Sequence, residues 1–485
     1  MRQFISKIVL LLALMVMGTA LCSAQYIDDA LRYASSSLGV GARSMGMAGA
    51  FSGVASDYSA IFSNPAGLAQ LHENEFSFGL SNVSYSDAST FIGQNSSFSN
   101  SSTDLNTLGF VYPLATQRGS LVLAIGYNRQ SDYTTALMFS AVNPTSSIVP
   151  SLAKHDNPSL ISQLGLADSN GNSPYQGGLQ QAGTTLEGGG LNDWSVAASI
   201  EAAKHVYFGA TLTFISGSYS YSQQYAETDV NGVYSVQRFG SDSALWALNS
   251  FNINNSISSD ISGVTATLGM LFKLGMNSRI GITVKVPTYY TVNETFSSTG
   301  SSNFRVPDSN GVTQYYGQTG GSYQYDVTSP FVFEGGASFD IAGLMLSGDV
   351  QYTDWTQMSY SNADFDPTNL NTEIKTEFQP TANVRVGGEY AVPGITDFGL
   401  LLRAGFAYLP TPYKGFPSSY AQKYITGGIG FIFQDAIGLN LAYAHDAFDT
   451  QHQIYNDYSD TPASPLTYET VHVSTFLATL TYRFE

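Results

Sequence analysis

The chain has 485 residues, a formal net charge of −18 and a single cysteine. Its 37 acidic residues against 19 basic ones argue against nucleic acid as a partner, because phosphate binding needs basic patches. Only 12% of residues are charged, about half the share in ordinary soluble domains, and 31 tyrosines, 29 phenylalanines and 47 glycines point instead to a membrane protein built of sheet.

Residues 1–24 read as a secretory signal peptide. Arg2 and Lys7 form a basic start, Ile8 to Met17 is an apolar run, and Cys22-Ser23-Ala24 is a small-residue cleavage site. The run is too short to cross a membrane as a helix, which takes about 20 residues. Cleavage removes Cys22, so the exported chain has no disulfide and needs another source of stability, such as a large hydrogen-bonded sheet.

Residues 25–72 follow, and they do not alternate. "GMAGAFSGVASDYSAIFSNPAGLAQL" (46–71) is small, weakly charged and carries one Asn-Pro-Ala step. Gly and Ala let backbones approach closely, and Asn64-Pro65 fixes a turn. This segment is expected to fold as a hatch inside a barrel. The alternative, a disordered tail, would be richer in charge and poorer in Phe, Val and Ile. Phe51, Ile61 and Phe62 are its candidate apolar contacts, beside Asn64, Pro65 and Ala66.

Everything from 73 to 485 reads as strand and loop. Strands are expected near 74–85, 104–115, 120–133, 191–203, 205–222, 261–274, 279–296, 321–339, 343–359, 373–391, 397–409, 420–434, 436–449 and 467–485. In the last of them Phe476, Leu480, Tyr482 and Phe484 share one face, and Thr479, Thr481 and Arg483 the other. That is the period of two that a strand requires. Runs of ten residues or more exceed the five or six usual in a soluble sandwich. Short links near 116–119, 204, 275–278, 340–342, 392–396 and 435 alternate with longer polar ones, the longest at 134–190 and 223–260. The expected fold is therefore all-β: a 14-stranded antiparallel transmembrane barrel, apolar outward and polar inward, with the hatch in its lumen. Asp-x-Asn-Gly begins at Asp168, Asp229 and Asp308, always in a long link; it reads as a tight turn, because the twelve-residue calcium pattern is not completed.

Parity turns Glu201, Lys273, Lys285, Asp349, Arg385, Glu389, Arg403 and Arg483 inward. Buried charges need partners, so salt-bridged networks with each other and the hatch are expected. One Lys or Arg is left open as a partner for a ligand carboxylate. No Gly-x-Ser-x-Gly elbow and no His-Glu-x-x-His occurs ("HENEF" at His72 is the nearest miss), so no enzyme, metal site or cofactor is expected.

"GARSMGMAGAFSGVASDYSAIFSNPAGLAQL" (Gly41 to Leu71) resembles the N-terminal signature of the FadL/TodX outer-membrane transporters of long-chain fatty acids and hydrocarbons, with Asn64-Pro65-Ala66 as the hatch motif. "GDVQYTDWTQM" (348–358), "VRVGGEY" (384–390) and "LLRAGFAYLPTPY" (401–413) resemble later strands of that family. The resemblance implies a fourteen-stranded barrel in the outer membrane of a Gram-negative cell, surrounded by lipid and lipopolysaccharide, acting as a monomer. It implies that a hydrophobic small molecule, a fatty acid or an aromatic or aliphatic hydrocarbon, is caught among outer loops. The molecule then passes to a pocket beside the hatch and leaves sideways at a kinked third strand. Gly126 in "SLVLAIGYNRQSDY" is the candidate for that kink, because Gly often marks bends in strands. The alternatives are a general porin, a receptor for haem or another amphiphile, and a surface adhesion barrel.

Overall fold

The computed structural model describes residues 26–235, 237–238, 245–275, 277–308, 310–394 and 398–485; the expected signal peptide lies outside the described residues. The chain forms β1 (Asn74–Phe91), β2 (Gln94–Leu114), β3 (Leu121–Asp132), β4 (Thr135–Asn143), β5 (Leu179–Ala203) and β6 (Val206–Thr228). A small hairpin of β7 (Gln237–Arg238) and β8 (Leu245–Trp246) precedes β9 (Leu248–Leu274), β10 (Ser278–Lys285), β11 (Tyr289–Phe304), β12 (Gln314–Thr328) and β13 (Val332–Ile341). Then come β14 (Leu344–Asp354), β15 (Ser359–Ser361), β16 (Pro380–Val392), β17 (Gly399–Leu409), β18 (Gln422–Phe433), β19 (Ile437–Gln453) and β20 (Leu466–Phe484).

Neighbours pair antiparallel, and β1 pairs with β20 from Asn74↔Phe484 to Phe91↔Thr467, so the sheet closes on itself. Four wall positions are each filled by two segments: β3 with β4, β10 with β11, β12 with β13, and β14 with β15. With each such position taken once, the barrel has fourteen strands. Pro287 lies between β10 and β11, and Pro330 between β12 and β13. Proline has no N–H to give to a ladder, so a long strand that contains one breaks there.

The two faces follow the pleat. Phe76, Phe78 and Leu80 of β1 and Phe476, Leu480 and Tyr482 of β20 are exposed on the outside, while Glu75, Ser77, Thr479 and Thr481 are buried. This apolar belt occupies the half of the wall next to the short turns. Above it the outward residues become polar, as in Ser97, Ser99 and Ser101 of β2. That part of the wall stands clear of hydrocarbon and needs no apolar side chains.

Several expected loops are therefore strand. Residues 86–91 and 94–103 finish β1 and begin β2, joined by a two-residue turn at Ile92-Gly93. The expected loop 134–190 contains β4, the helix α4 (Pro158–Gln163) and the start of β5; the loop 223–260 is shortened by β6 and β9. Residues 368–377 form a helix, α5 (Thr368–Glu377), rather than the start of a strand at 373. It buries Leu370 and Ile374 against the barrel interior, at the four-residue spacing of one helix face.

Residues 26–71 lie inside the barrel. They form α1 (Tyr26–Ala34), α2 (Ala42–Gly46), α3 (Ala60–Ser63) and a 3₁₀ turn at Pro65–Gln70. The body from Gly39 to Leu71 sits at the short-turn end. The leading helix α1 rises toward the long loops and packs among Tyr133, Tyr290, Tyr325 and Ile374.

Candidate functional site

The hatch fits because wall and hatch both give up side chains where they meet. A Cβ added to Gly209 of β6 would lie 2.3 Å from the carbonyl carbon of Pro65, and one on Gly269 of β9 would lie 2.2 Å from Asn64 Oδ1. One on Gly281 of β10 would reach the Ser52 oxygen at 2.0 Å, and one on Gly405 of β17 the Met47 carbon at 2.5 Å. Lumen-facing glycines thus form a band level with the hatch, and backbone rests directly on backbone.

Polar anchors run around this band. Asp349 of β14 accepts from Phe51 N and Ser52 N at 2.7 and 2.8 Å. Glu75 of β1 accepts from Tyr58 N at 2.7 Å and pairs with Arg483 of β20 at 2.9 Å. Arg43 of α2 forks onto Glu389 of β16 at 2.9 and 2.8 Å, and Arg403 of β17 reaches the same carboxylate at 2.6 Å. A two-nitrogen fork fixes orientation as well as distance. Ser199, Thr211, Ser338 and Thr426 hydroxyls donate to the carbonyls of Ala66, Ile61, Gly53 and Gly46.

Asn64 is fully buried at the centre of the turn. Its side chain accepts from Ala66 N at 3.1 Å and donates to Ser52 O at 2.9 Å and Met270 O at 3.1 Å. Pro65 follows at the first position of the 3₁₀ turn, where its missing N–H costs nothing. Asn64→Ala is expected to strand two buried groups, the Ala66 N–H and the Ser52 carbonyl, at about 1–3 kcal/mol each. Thermal melting and limited proteolysis of the hatch in the intact barrel check this; a change too small to resolve would remove Asn64 from its role as the pin.

The wall is not continuous beside β3. β2 and β3 pair only from Leu114↔Leu121 to Thr107↔Asn128. Beyond that point β2 keeps only β1, β3 keeps only β5 across a register shift at Arg129/Ser131, and β4 pairs only with β5. β4 swings into the lumen over β1: Ser89 Oγ donates to Met138 O at 2.5 Å, and the Phe91 and Phe139 rings are 4.7 Å apart. The break therefore falls above Asn128 and at Tyr133-Thr134, not at Gly126. Gly126 pairs regularly with Gly109 and Ser195, and a Cβ there would sit 1.9 Å from the Tyr58 hydroxyl. Gly126 and Gly109 make room for the Tyr58 ring of the hatch. Trp194 and Tyr127 meet edge-on at 5.2 Å on the outer face at this height, as aromatic girdles do at a membrane boundary. The gap opens where that girdle ends. Polar contacts cross it: Ser102 Oγ to Asp132 Oδ2 at 2.9 Å, Arg129 to Asp104 at 3.6 Å, and Asn100 Nδ2 to Thr135 O at 3.2 Å.

The family model for outer membrane protein transport proteins (OMPP1/FadL/TodX) matches residues 34–485. The chain belongs to that family. Among solved structures it resembles a Pseudomonas aeruginosa FadL homologue, at 14% identity and a TM-score of 0.57, with 93% of this chain and 99% of that one covered. It also resembles the P. putida toluene transporter TodX, at 14% identity and a TM-score of 0.53, with 92% and 99% covered. These likenesses are of fold. No curated protein sequence matches the chain.

In this member of the OMPP1/FadL/TodX family the inward charges fall into three groups. Asp349, Arg385, Glu389, Arg403 and Arg483 join the hatch band, Arg385 through Glu334 at 3.5 Å. Their partners Arg43, Glu75 and Glu334 escaped sequence reasoning, although the hatch arginine and the alternation in β1 and β13 were visible. Glu201 and Lys273 stay at the short-turn rim, where Glu201 accepts from His205 N at 3.0 Å and Lys273 lies 5.1 Å from the Tyr207 ring centre. Lys285 faces Asp193 of β5 electrostatically. Phe51 and Ile61 are buried, packed with Met47 and Val54 and with Tyr58 and Leu68; Phe62 is half-buried against the second group.

Above the hatch is a vestibule around α1. Arg32 lies 4.0 Å over the Tyr219 ring, pairs with Asp29 and approaches Glu187 at 3.8 Å. His452 of β19 pairs with Glu469 of β20 at 2.5 Å, yet its side chain is 56% exposed, so it faces open space within the bore. The long loops roof this space with Val149, Leu160, Ile161, Leu164 and Tyr175. Buried Glu227 ties the roof down through Ser147 Oγ, Ile148 N and Tyr225 Oη at 2.5, 2.9 and 2.7 Å. At the Asp-x-Asn-Gly turns, backbone N–H groups of Asn172 and Val312 bond Asp168 and Asp308 and hold both carboxyls below the usual range.

Proposed function

We propose that this chain passively admits hydrophobic small molecules, hydrocarbons or fatty acids, and releases them sideways between β2 and the β3–β4 bend. The observation that carries the reading is the conjunction of a filled axis with an interrupted wall. The hatch blocks the bore at the short-turn end, so a molecule in the vestibule has one remaining way out, through the side. The gap opens at the upper edge of the apolar belt, and a hydrocarbon gains about 0.8 kcal/mol per CH₂ by staying out of water, so passage from there down into lipid needs no energy source. The solved toluene transporter TodX shares the fold and supports a hydrocarbon as the probe. Residues 1–24 serve as the signal peptide, 25–72 as the hatch and 73–485 as the barrel in this reading. A sheet closed on itself leaves no edge for strand addition by a second copy, and in this reading the chain works as a monomer in lipid and lipopolysaccharide. No catalytic step is part of the proposal.

The test is uptake of radiolabelled toluene and of a labelled long-chain fatty acid by Gram-negative cells with and without the chain. Saturable, energy-independent uptake of at least one is expected. Equal uptake by both strains would sink the reading, and steady ion current from the purified chain would replace it with a porin.

A further inference from the structure

The outer face of β18, β19 and β20 carries a cluster of basic residues that the channel does not use. Parity turns three of them outward. Tyr424 packs inside with Leu38 and Ala48 of the hatch, so Lys423 and Ile425 on either side of it face out. Ala444 and Asp446 are buried, and so is Val471, which leaves His445 and His472 on the outside. The register sets the three side by side. Lys423 pairs with Ala447, and Ala447 pairs on its other side with His472. Lys423 and His472 thus stand two strand spacings apart, about 10 Å, with only the Ala447 methyl between them. His445 lies one outward position lower, where it pairs with Ile425. Its ring stacks on that of His472 at 5.5 Å, with 14° between the planes. Ser474 Oγ sits 3.3 Å from His445 Nδ1 and 2.9 Å from Tyr443 Oη.

Two observations set this cluster apart. The first is that it is unmatched. Acidic residues outnumber basic ones 37 to 19 in this chain, and His155, His452 and Arg129 each meet a carboxylate. Among the described residues Lys423, His445 and His472 have no ion pair. Asp449, the outward carboxylate two positions above His445 on β19, accepts from Thr470 at 3.2 Å. The second is height. The outward residues just below the cluster are Ile425, Tyr443 and Phe476, which are 66, 49 and 48% exposed and belong to the apolar belt. Those just above are polar. The cluster therefore marks the line where hydrocarbon ends on the long-loop side. In the outer leaflet of an outer membrane, the phosphates of lipopolysaccharide lie along that line, between acyl chains and sugars.

We propose that this face docks one phosphate of a lipopolysaccharide molecule. Lys423 and His472 close on it across Ala447, His445 meets it from below, and the acyl chains lie on Ile425, Tyr443 and Phe476. Lysine supplies a full charge, and an imidazole N–H donates whether or not the ring is charged. The chain's net charge of −18 gives no general attraction for an anionic lipid, so the attraction has to be local. The site is on the outside of the barrel and does not depend on the channel reading.

The experiment is native mass spectrometry of the intact chain in a neutral detergent. The probes are lipid A with its phosphates, the same lipid with the phosphates removed by a phosphatase, and inorganic phosphate. The unaltered chain is expected to hold lipid A at least tenfold more tightly than the dephosphorylated lipid, the worth of one charged contact. Lys423→Ala with His472→Ala is expected to remove that margin. Both side chains face outward and touch no hatch residue, and heat-dependent gel mobility shows that the barrel has closed. Lys423→Gln alone, expected to narrow the margin, serves if the double variant does not fold. Equal retention of the two lipids by the unaltered chain, or a closed variant that keeps the full margin, overturns the site. Displacement of lipid A by an equimolar amount of inorganic phosphate overturns it as a lipid dock and leaves a simple anion site.

Discussion

Gly281→Val is expected to unseat the hatch and turn a closed barrel into a steadily conducting pore. The Ser52 carbonyl oxygen stands 2.0 Å from where the new Cβ would be, and Asn64 Nδ2 stands 2.9 Å away. Neither is the end of a flexible chain. Ser52 O is backbone, and Asn64 is held by its own hydrogen bonds. β10 cannot retreat, because it is paired along its whole length with β9 and β13. The hatch has to move instead. Overpacking of about 3 kcal/mol shifts the seated and unseated populations by roughly a hundredfold. Single-channel recording in planar bilayers reads this directly, with long openings replacing a quiet baseline. Gly335→Val is the control, since a Cβ there meets nothing within 4 Å. Heat-dependent mobility on gels shows whether each barrel has closed. A folded Gly281→Val barrel that stays silent would mean that the hatch is not seated by backbone contact.

How much of this was legible in the sequence depended on what each residue faces. Strands in the lipid belt announced themselves, because Phe76, Phe78 and Leu80 must alternate with Ser77 and Gly79. The same strands disappeared above the belt, where both faces are wet and "SSFSNSST" carries no apolar period to read. The hatch was visible as a small-residue segment, and Asn64-Pro65 as its turn. Its seat was not visible. Gly209, Gly269 and Gly281 look like interruptions of strand propensity, and only the closed barrel brings them to one level against the same turn. Gly126 misled for the same reason: a glycine in a strand can mark a bend or a close neighbour, and here the neighbour is Tyr58. The actual break, at Tyr133-Thr134, carries no glycine or proline. It comes from what β4 pairs with, which is a property of the whole sheet. Arg43 was passed over because a lone arginine in a polar-poor segment gives no hint of partners that lie 346 residues away in Glu389.

The gap beside β3 yields the second large effect. Replacing Ser102 and Asp132 by cysteines, in a chain whose only native cysteine is Cys22 of the expected signal peptide, puts one thiol on each side of the gap, on the two residues whose hydroxyl and carboxylate now meet at 2.9 Å. Oxidation then ties β2 to the end of β3 across the interruption. Side chains cross this gap without any backbone ladder, so in the native chain the tie is made of exposed or half-buried polar contacts worth about 1 kcal/mol or less each. Contacts that weak break on thermal motion and re-form, as a gate requires. A disulfide between the strands removes that freedom. Uptake of labelled toluene by cells carrying the oxidised double variant is expected to fall to the level of cells without the chain, and to return when a reductant is added. The hatch band is not touched by the change, so conductance should stay at the quiet baseline throughout. Full uptake with the disulfide formed would show that the molecule leaves elsewhere, and the lateral exit would have to be given up in favour of a path past the hatch.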